Sequence, residues 1–81
     1  MIIMATAFVL VTAEIGQESN VIEELEEIPE VKETNQTYGV YDIIVKVEAE
    51  SMEELKDVLH YRIRTIDDIR STMTLIVTYN M

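Results

Sequence analysis

The residues best suited to bind a small molecule are Gly39, Val40, Tyr41 and Asp42, which form a short polar turn before a strongly β-prone stretch. Glycine allows a close approach of the backbone, and flanking strands hold a turn still while its N–H and C=O groups point outward. These four residues are therefore a candidate binding loop. The more ordinary interpretation, from the local sequence alone, is that Gly39 and Asp42 only shape a β-turn.

Other residue types that do chemistry are sparse in this chain. His60 is the only histidine and has no evident partner in the sequence, so we interpret it as a helix-surface or interface residue. Five glutamates between positions 23 and 30 are spread around a helix, which is typical of a solvated face rather than a metal site. Cysteine is absent, which removes a thiol nucleophile, disulfides and thiolate metal ligands. The sequence therefore predicts neither catalytic residues nor a metal site.

Length and charge narrow the class of protein. We expect one domain, residues 1–81, and a domain this small buries only about 60 to 65% of its unfolded surface, which favours self-association. The formal net charge of -10 disfavours direct binding to nucleic acid or to anionic membranes. No apolar run reaches the length of a membrane span, and we interpret the uncharged start as a strand rather than a signal peptide. Absence of cysteine makes the cytoplasm the expected compartment.

Hydrophobic periodicity predicts four strands and two helices. A capping box from Ser51 to Glu54 is expected to begin the second helix, because the serine hydroxyl can accept from the amide of Glu54. The predicted buried stripe of this helix consists of Met52, Leu55, Val58, Leu59 and Ile63. The predicted elements are strand 5–13, helix 18–28, edge strand 31–38, strand 43–49, a helix from 52 to about 64 and strand 69–79.

The resulting order, β-α-β-β-α-β, predicts an α+β fold of the ferredoxin-like type. Each helix is long enough to cross between neighbouring parallel strands, and right-handed crossovers place both helices on one face of a four-stranded sheet. The other face of the sheet is then left uncovered, with Phe8 and Leu10 or their alternates on it. Face-to-face pairing of two sheets would bury these side chains, so a homodimer is expected as the minimum assembly.

With this order of elements, the chain resembles the ligand-binding domain of the Lrp/AsnC family of transcriptional regulators, also called the RAM domain. The resemblance covers nearly the whole chain and depends on the order and spacing of several short segments. Family members usually carry an N-terminal helix-turn-helix domain, whereas this chain begins at the first strand, so we expect a stand-alone form. The segments that carry the resemblance are Ala7-Phe8-Val9, Ile28-Pro29-Glu30-Val31, Gly39-Val40-Tyr41-Asp42 and the threonine-rich stretch from Ser71 to Val77.

The resemblance implies a non-enzymatic module that binds an amino acid effector against the turn at residues 39–42. It also implies a dimeric α/β barrel, association of dimers into an octamer or similar ring, and possible partnership with full-length Lrp/AsnC regulators. A free amino acid needs donors and acceptors close together, and Asp42 can accept from its ammonium while Tyr41 forms a wall. Thr72 and Thr74 on the last strand can add hydroxyl groups. No cofactor is expected besides the amino acid.

Three other classes of protein share this order of elements. Dimeric ferredoxin-like barrels include small monooxygenases and isomerases, although no histidine-carboxylate pair is evident here. An ACT-like amino acid sensor pairs its sheets side by side, and the glycine in the middle turn favours the Lrp/AsnC resemblance instead. An RNA-recognition module needs an aromatic-rich basic strand, which this acidic chain does not have.

Overall fold

A computed structural model describes residues 4–78 and confirms the expected order of elements. The first strand and the third strand have the predicted bounds. The last strand ends earlier than expected, at Ile76, and the predicted end of this strand at Tyr79 lies outside the described residues. The elements are β1 (Ala5–Ala13), α1 (Glu18–Glu26), β2 (Val31–Gln36), β3 (Ile43–Ala49), α2 (Met52–Asp57), a π-helical segment (Val58–Ile63) and β4 (Ile69–Ile76).

The four strands form one sheet in the order β2-β3-β1-β4, in which every neighbouring pair is antiparallel. The expectation that each helix crosses between neighbouring parallel strands was therefore wrong in one respect. The strands that each helix connects are parallel but not adjacent: β3 lies between β1 and β2, and β1 lies between β3 and β4. This is the split arrangement, and it leaves β2 and β4 as the edges.

One face of the sheet carries the core, because side chains alternate between the two faces of a strand. Along β1 and β3 every second residue is buried, beginning with Ala7 and Ile43. These side chains pack against α1, α2 and the π-helical segment. The buried hydrophobic residues are Ala7, Val9, Val11, Ala13, Val21, Leu25, Ile28, Ile43, Val45, Val47, Ala49, Leu55, Val58, Leu59 and Ile63.

The second helical region differs from the predicted regular helix. Leu55, Val58, Leu59 and Ile63 are buried as expected, but Met52 is 41% exposed because it lies in the first turn, beyond the edge of the core. From Val58 to Ile63 the helix widens to π geometry. The widened turn ends where the amide of Arg64 donates to the carbonyl of Leu59 at 3.2 Å.

The capping box at the start of α2 is present. The hydroxyl of Ser51 accepts a hydrogen bond from the amide of Glu54 at 3.0 Å, and the Glu54 carboxylate accepts from the amide of Glu50 at 3.3 Å. The first contact satisfies an amide that the first turn of a helix leaves without an intrahelical partner, whereas the second goes to the residue before the N-cap and not to the amide of Ser51.

Removing this cap is expected to destabilise the fold. Ser51→Ala should lower the free energy of unfolding by about 1 kcal/mol, since the amide of Glu54 loses its acceptor. Ser19→Ala is the matched control, because Ser19 is exposed inside α1 and alanine is at least as good a helix former there. Urea unfolding of both variants tests the expectation, which fails if the two curves shift equally.

The opposite face of the sheet carries no helix. Neighbouring side chains of three strands form an apolar patch on it, since Phe8 lies opposite Leu75 and Leu10 lies opposite both Ile44 and Met73. Met73 and Leu75 are exposed, and the other three are partly exposed. The uncovered face that the sequence predicted is therefore present. The apolar patch consists of Phe8, Leu10, Ile44, Met73 and Leu75.

Within residues 4–78, no helix is both long enough and apolar enough to cross a membrane.

Candidate functional site

The turn at residues 37–42 is fixed at its base by three hydrogen bonds. The amide of Thr37 donates to the carbonyl of Asp42 at 2.7 Å, and the Thr37 hydroxyl donates to the carbonyl of Tyr41 at 2.6 Å. The amide of Asp42 donates to the carbonyl of Val11 in β1 at 2.9 Å. Hydrogen bonds thus join the two ends of the turn to each other and to β1, one of the two central strands of the sheet.

The Asp42 carboxylate has a structural role that the sequence did not reveal. Its Oδ2 accepts a hydrogen bond from the amide of Ala13 at 2.9 Å. The ladder between β1 and β3 ends at the pair Val11 and Ile43. The amide of Ala13 points to the same side of β1 as the backbone groups of Val11 but lies beyond this last pair, and the carboxylate supplies the acceptor that β3 does not. The second carboxylate oxygen makes none of the hydrogen bonds found among the described residues.

The tip of the turn projects into solvent. Tyr38, Gly39 and Val40 are all exposed, Val40 by 85%. Gly39 has φ of +154°, a backbone conformation that residues with a side chain rarely adopt. The backbone N–H and C=O groups of Gly39 and Val40 take part in none of the hydrogen bonds that hold the turn. A ligand or a second subunit can therefore reach them directly.

The side chain of Tyr41 returns from the turn across the uncovered face of the sheet. Its hydroxyl lies 3.6 Å from the sulfur of Met73, a member of the apolar patch. A thioether is a weak acceptor, so this contact orients the ring but leaves the hydroxyl only weakly hydrogen-bonded. Tyr41 thereby connects the candidate binding loop to the surface that the sequence predicts as a dimer contact.

The predicted site residues divide into two groups in a single chain. Gly39, Val40, Tyr41 and Asp42 lie together in the turn. Thr72 and Thr74 lie opposite Val11 and Val9, so their side chains are on the helix-covered face of edge strand β4. The Tyr41 ring lies on the other face, and the sheet separates it from both threonine hydroxyls.

Two further sequence interpretations concern charged residues. His60 is exposed and packs edge-to-face on Tyr61, with 4.7 Å between the ring centroids, and no His, Cys, Asp or Glu cluster suited to a metal ion occurs within residues 4–78. The guanidinium of Arg70 lies 3.8 Å from the carboxylate of Glu14, and both side chains are more than half exposed.

One feature of the helix-covered side was not predicted from the sequence. A cleft of about 280 Å³ opens between the second helical region and β4, lined by Lys56, Leu59, His60, Arg64, Thr74 and Ile76. The spacing of four residues between Lys56, His60 and Arg64 is the signal that would have indicated a common helix face. We call this feature the cationic cleft.

An antiparallel sheet with two helices on one face and an exposed turn between β2 and β3 defines a small α+β domain, and known ligand-binding domains share this architecture. Residues 6–81 match the model of the Lrp/AsnC ligand binding domain. The crystal structure of FFRP-DM1 superposes with a TM-score of 0.87 and 41% sequence identity, covering 90% of this chain and 97% of that one. The chain therefore belongs to the Lrp/AsnC family and is a ligand-binding regulatory domain.

Two curated relatives are regulatory proteins. The regulatory protein AsnC of Escherichia coli is 50% identical over 42 residues, which is 52% of this chain and 28% of AsnC. An uncharacterised HTH-type transcriptional regulator of Pyrococcus horikoshii is 36% identical over 72 residues, which is 89% of this chain and 46% of the regulator. The chain thus spans less than half the length of these relatives.

Proposed function

We propose that this domain senses a free amino acid at the turn of residues 37–42 and passes the signal on by self-association. The observation that carries the proposal is the combination of a rigid base and a free tip. Three hydrogen bonds fix the base, while the backbone groups of Gly39 and Val40 remain available. A preorganised loop of this kind binds without a large cost in ordering, which is the advantage of building a site on strands.

The groups available at the turn match the two charged ends of an amino acid. The backbone amides of Gly39 and Val40 can donate to a carboxylate. The second oxygen of Asp42 and the free carbonyl groups of the tip can accept from an ammonium. Neither end requires a catalytic group, and this agrees with relatives that are regulators rather than enzymes.

A ligand that uses both groups of predicted site residues would have to bridge two subunits. Thr72 and Thr74 lie on the opposite face of the sheet from the ring of Tyr41, so one chain does not offer all six residues to one small molecule. In the proposed assembly the turn of one subunit meets β4 of another. Ligand binding then favours one arrangement of subunits over the others, because the ligand contacts both partners only in that arrangement.

The assembly unit in this proposal is a homodimer that buries the apolar patch. Two copies of the patch packed face to face would cover the side of each sheet that carries no helix. Dimers would associate further into an octamer or similar ring through the turns that project from them. Regulation of transcription or amino acid metabolism would follow from association with full-length Lrp/AsnC regulators.

Gly39→Val is expected to abolish amino acid binding with little loss of stability. A Cβ at Gly39 would meet nothing within 4 Å, so the change acts through the backbone, which has to leave φ of +154° and reshape the tip. Gly16→Val is the matched control, because Gly16 also has a positive φ, +84°, and equally open surroundings, but lies outside the turn. Calorimetric titration of the wild type with each common amino acid, followed by both variants, measures the effect.

Two results would contradict the proposal. One is a complete screen in which no amino acid binds or shifts the thermal midpoint. The other is a bound amino acid whose affinity falls equally in Gly39→Val and Gly16→Val, since the loss would then follow from general strain rather than from the turn.

A further inference from the structure

The cationic cleft is distinct from the turn and lies on the helix-covered side of the domain. One wall is the second helical region, and the other is the C-terminal half of edge strand β4, with Thr74 and Ile76. Six residues line its volume of about 280 Å³, and none of them is an aspartate or a glutamate. The chain has 16 acidic residues, and none of their carboxylates lines this cleft.

Two cationic side chains line this cleft. The whole chain has only 6 lysines and arginines, and Lys56 and Arg64 are two of them. Among the described residues the ion pair formed is the one between Arg70 and Glu14, so neither Lys56 nor Arg64 is neutralised by a carboxylate of the same chain. Both cations are available to an external anion.

The π-helical segment aligns these side chains. In an α-helix four residues advance by slightly more than one turn, so side chains at positions 56, 60 and 64 would drift progressively around the axis. A π turn holds more than four residues, and four of them advance by less than a full turn. The segment Val58–Ile63 therefore offsets this rotation around the helix axis, which brings Arg64 to the same side of the helix as Lys56. Isolated π turns occur frequently at functional sites.

The remaining lining groups fit the body of a small organic anion. Leu59 and Ile76 supply an apolar floor, and the hydroxyl of Thr74 makes none of the side-chain hydrogen bonds found among residues 4–78. As an edge strand, β4 also has backbone groups on its outer side that no neighbouring strand uses. The cleft thus combines cations, a hydroxyl and an apolar surface in a space of small-molecule size.

We propose that the cationic cleft binds a small carboxylate with an apolar body and no ammonium group. Lys56 and Arg64 hold the carboxylate through charge-assisted hydrogen bonds, and Leu59 and Ile76 contact the apolar body. An amino acid fits less well, because its ammonium would lie among like charges with no carboxylate in the lining to accept from it. Because Thr74 also belongs to the proposed amino acid site, an amino acid and this carboxylate would compete wherever the turn of another subunit reaches β4.

A second copy of the chain can also supply carboxylates to the cationic cleft. A cleft of about 410 Å³ elsewhere on the chain is lined by Asn20, Glu23, Glu24, Glu27, Asp67 and Asp68, and it is complementary in charge. The cationic cleft, however, is concave and has an apolar floor, which suits a free ligand better than flexible glutamate side chains. The experiment separates these two sources.

The test measures binding of three probes to the intact chain by titration calorimetry. They are 4-methyl-2-oxopentanoate, L-leucine, and the neutral 4-methylpentanamide, which keeps the apolar body without the charge. We expect the oxo acid to bind most tightly and the amide not to bind. The double variant Lys56→Gln/Arg64→Gln should weaken oxo acid binding by about tenfold or more, since hydrogen bonds to charged groups are lost.

The control is the double variant Lys32→Gln/Arg62→Gln, which removes the same charge from exposed positions outside the cleft. It should change oxo acid binding by less than about twofold, because distant exposed charges are screened. Equal losses in the two double variants, or equal binding of the acid and the amide, would overturn the proposal. So would a result in which no probe binds while Lys56→Gln/Arg64→Gln lowers the mass seen by light scattering, because the anion would then be a second copy.

Discussion

A Leu75→Glu variant is expected to be monomeric under conditions in which the wild type is a dimer or a larger assembly. Leu75 is 52% exposed in the single chain and lies opposite Phe8, on the β4 side of the apolar patch. If two patches pack face to face, a carboxylate at this position is buried without a partner, at a cost of several kcal/mol. Two such carboxylates per interface would abolish association. Light scattering and sedimentation measure the change in mass directly.

Ile15→Glu is the control for this experiment. Ile15 is 88% exposed in the loop after β1, outside the apolar patch, so the same change of residue type alters the charge equally without entering the proposed interface. We expect its mass to match the wild type. The proposal of a patch-to-patch dimer is wrong if Leu75→Glu keeps the wild-type mass, or if both variants dissociate alike.

Folding and association are expected to be coupled in the wild type. A domain of 81 residues has a free energy of unfolding of about 4 to 12 kcal/mol at typical values per residue. Burial of the apolar patch would add to this, and the unfolding midpoint would then rise with protein concentration. In Leu75→Glu the midpoint should be lower and independent of concentration.

Asp42→Ala is expected to lower the free energy of unfolding by about 1 to 3 kcal/mol, the cost of leaving a partly buried backbone amide without its charged acceptor. This amide belongs to Ala13, and it donates a hydrogen bond to the Asp42 carboxylate at 2.9 Å. Its hydrogen exchange should accelerate in the variant. Asp67→Ala, at an exposed loop position, should change stability by less than about 0.5 kcal/mol.

Asp42→Asn separates the structural role of this residue from its proposed role in binding. The amide oxygen of asparagine can still accept from Ala13, so most of the stability should be retained. The negative charge proposed to meet the ligand ammonium is lost, and amino acid binding should weaken by about tenfold or more. If Asp42→Asn binds as tightly as the wild type, Asp42 has only a structural function and the ammonium is held by carbonyl groups.

The order of the elements and the faces of the central strands follow from the amino-acid sequence. Alternation along β1 and β3 is a local pattern, and the burial of Val9, Val11 and Val45 follows it without exception. The capping box at Ser51 and the uncovered face with Phe8 and Leu10 were predictable for the same reason, because each depends on residues close together in the chain. The four-residue turn was also recognisable as a loop with special backbone geometry.

The groups that those residues contact depend on how the elements pack. No local pattern indicates that the Asp42 carboxylate reaches the amide of Ala13, since 29 positions of chain separate them. The sheet register places Thr72 and Thr74 on the opposite side from Tyr41, and so divides a site that the sequence treats as one. The cationic cleft likewise exists only where the second helical region and the edge strand meet. Contacts between distant parts of a chain depend on how its elements pack, and periodicity carries no information about that packing.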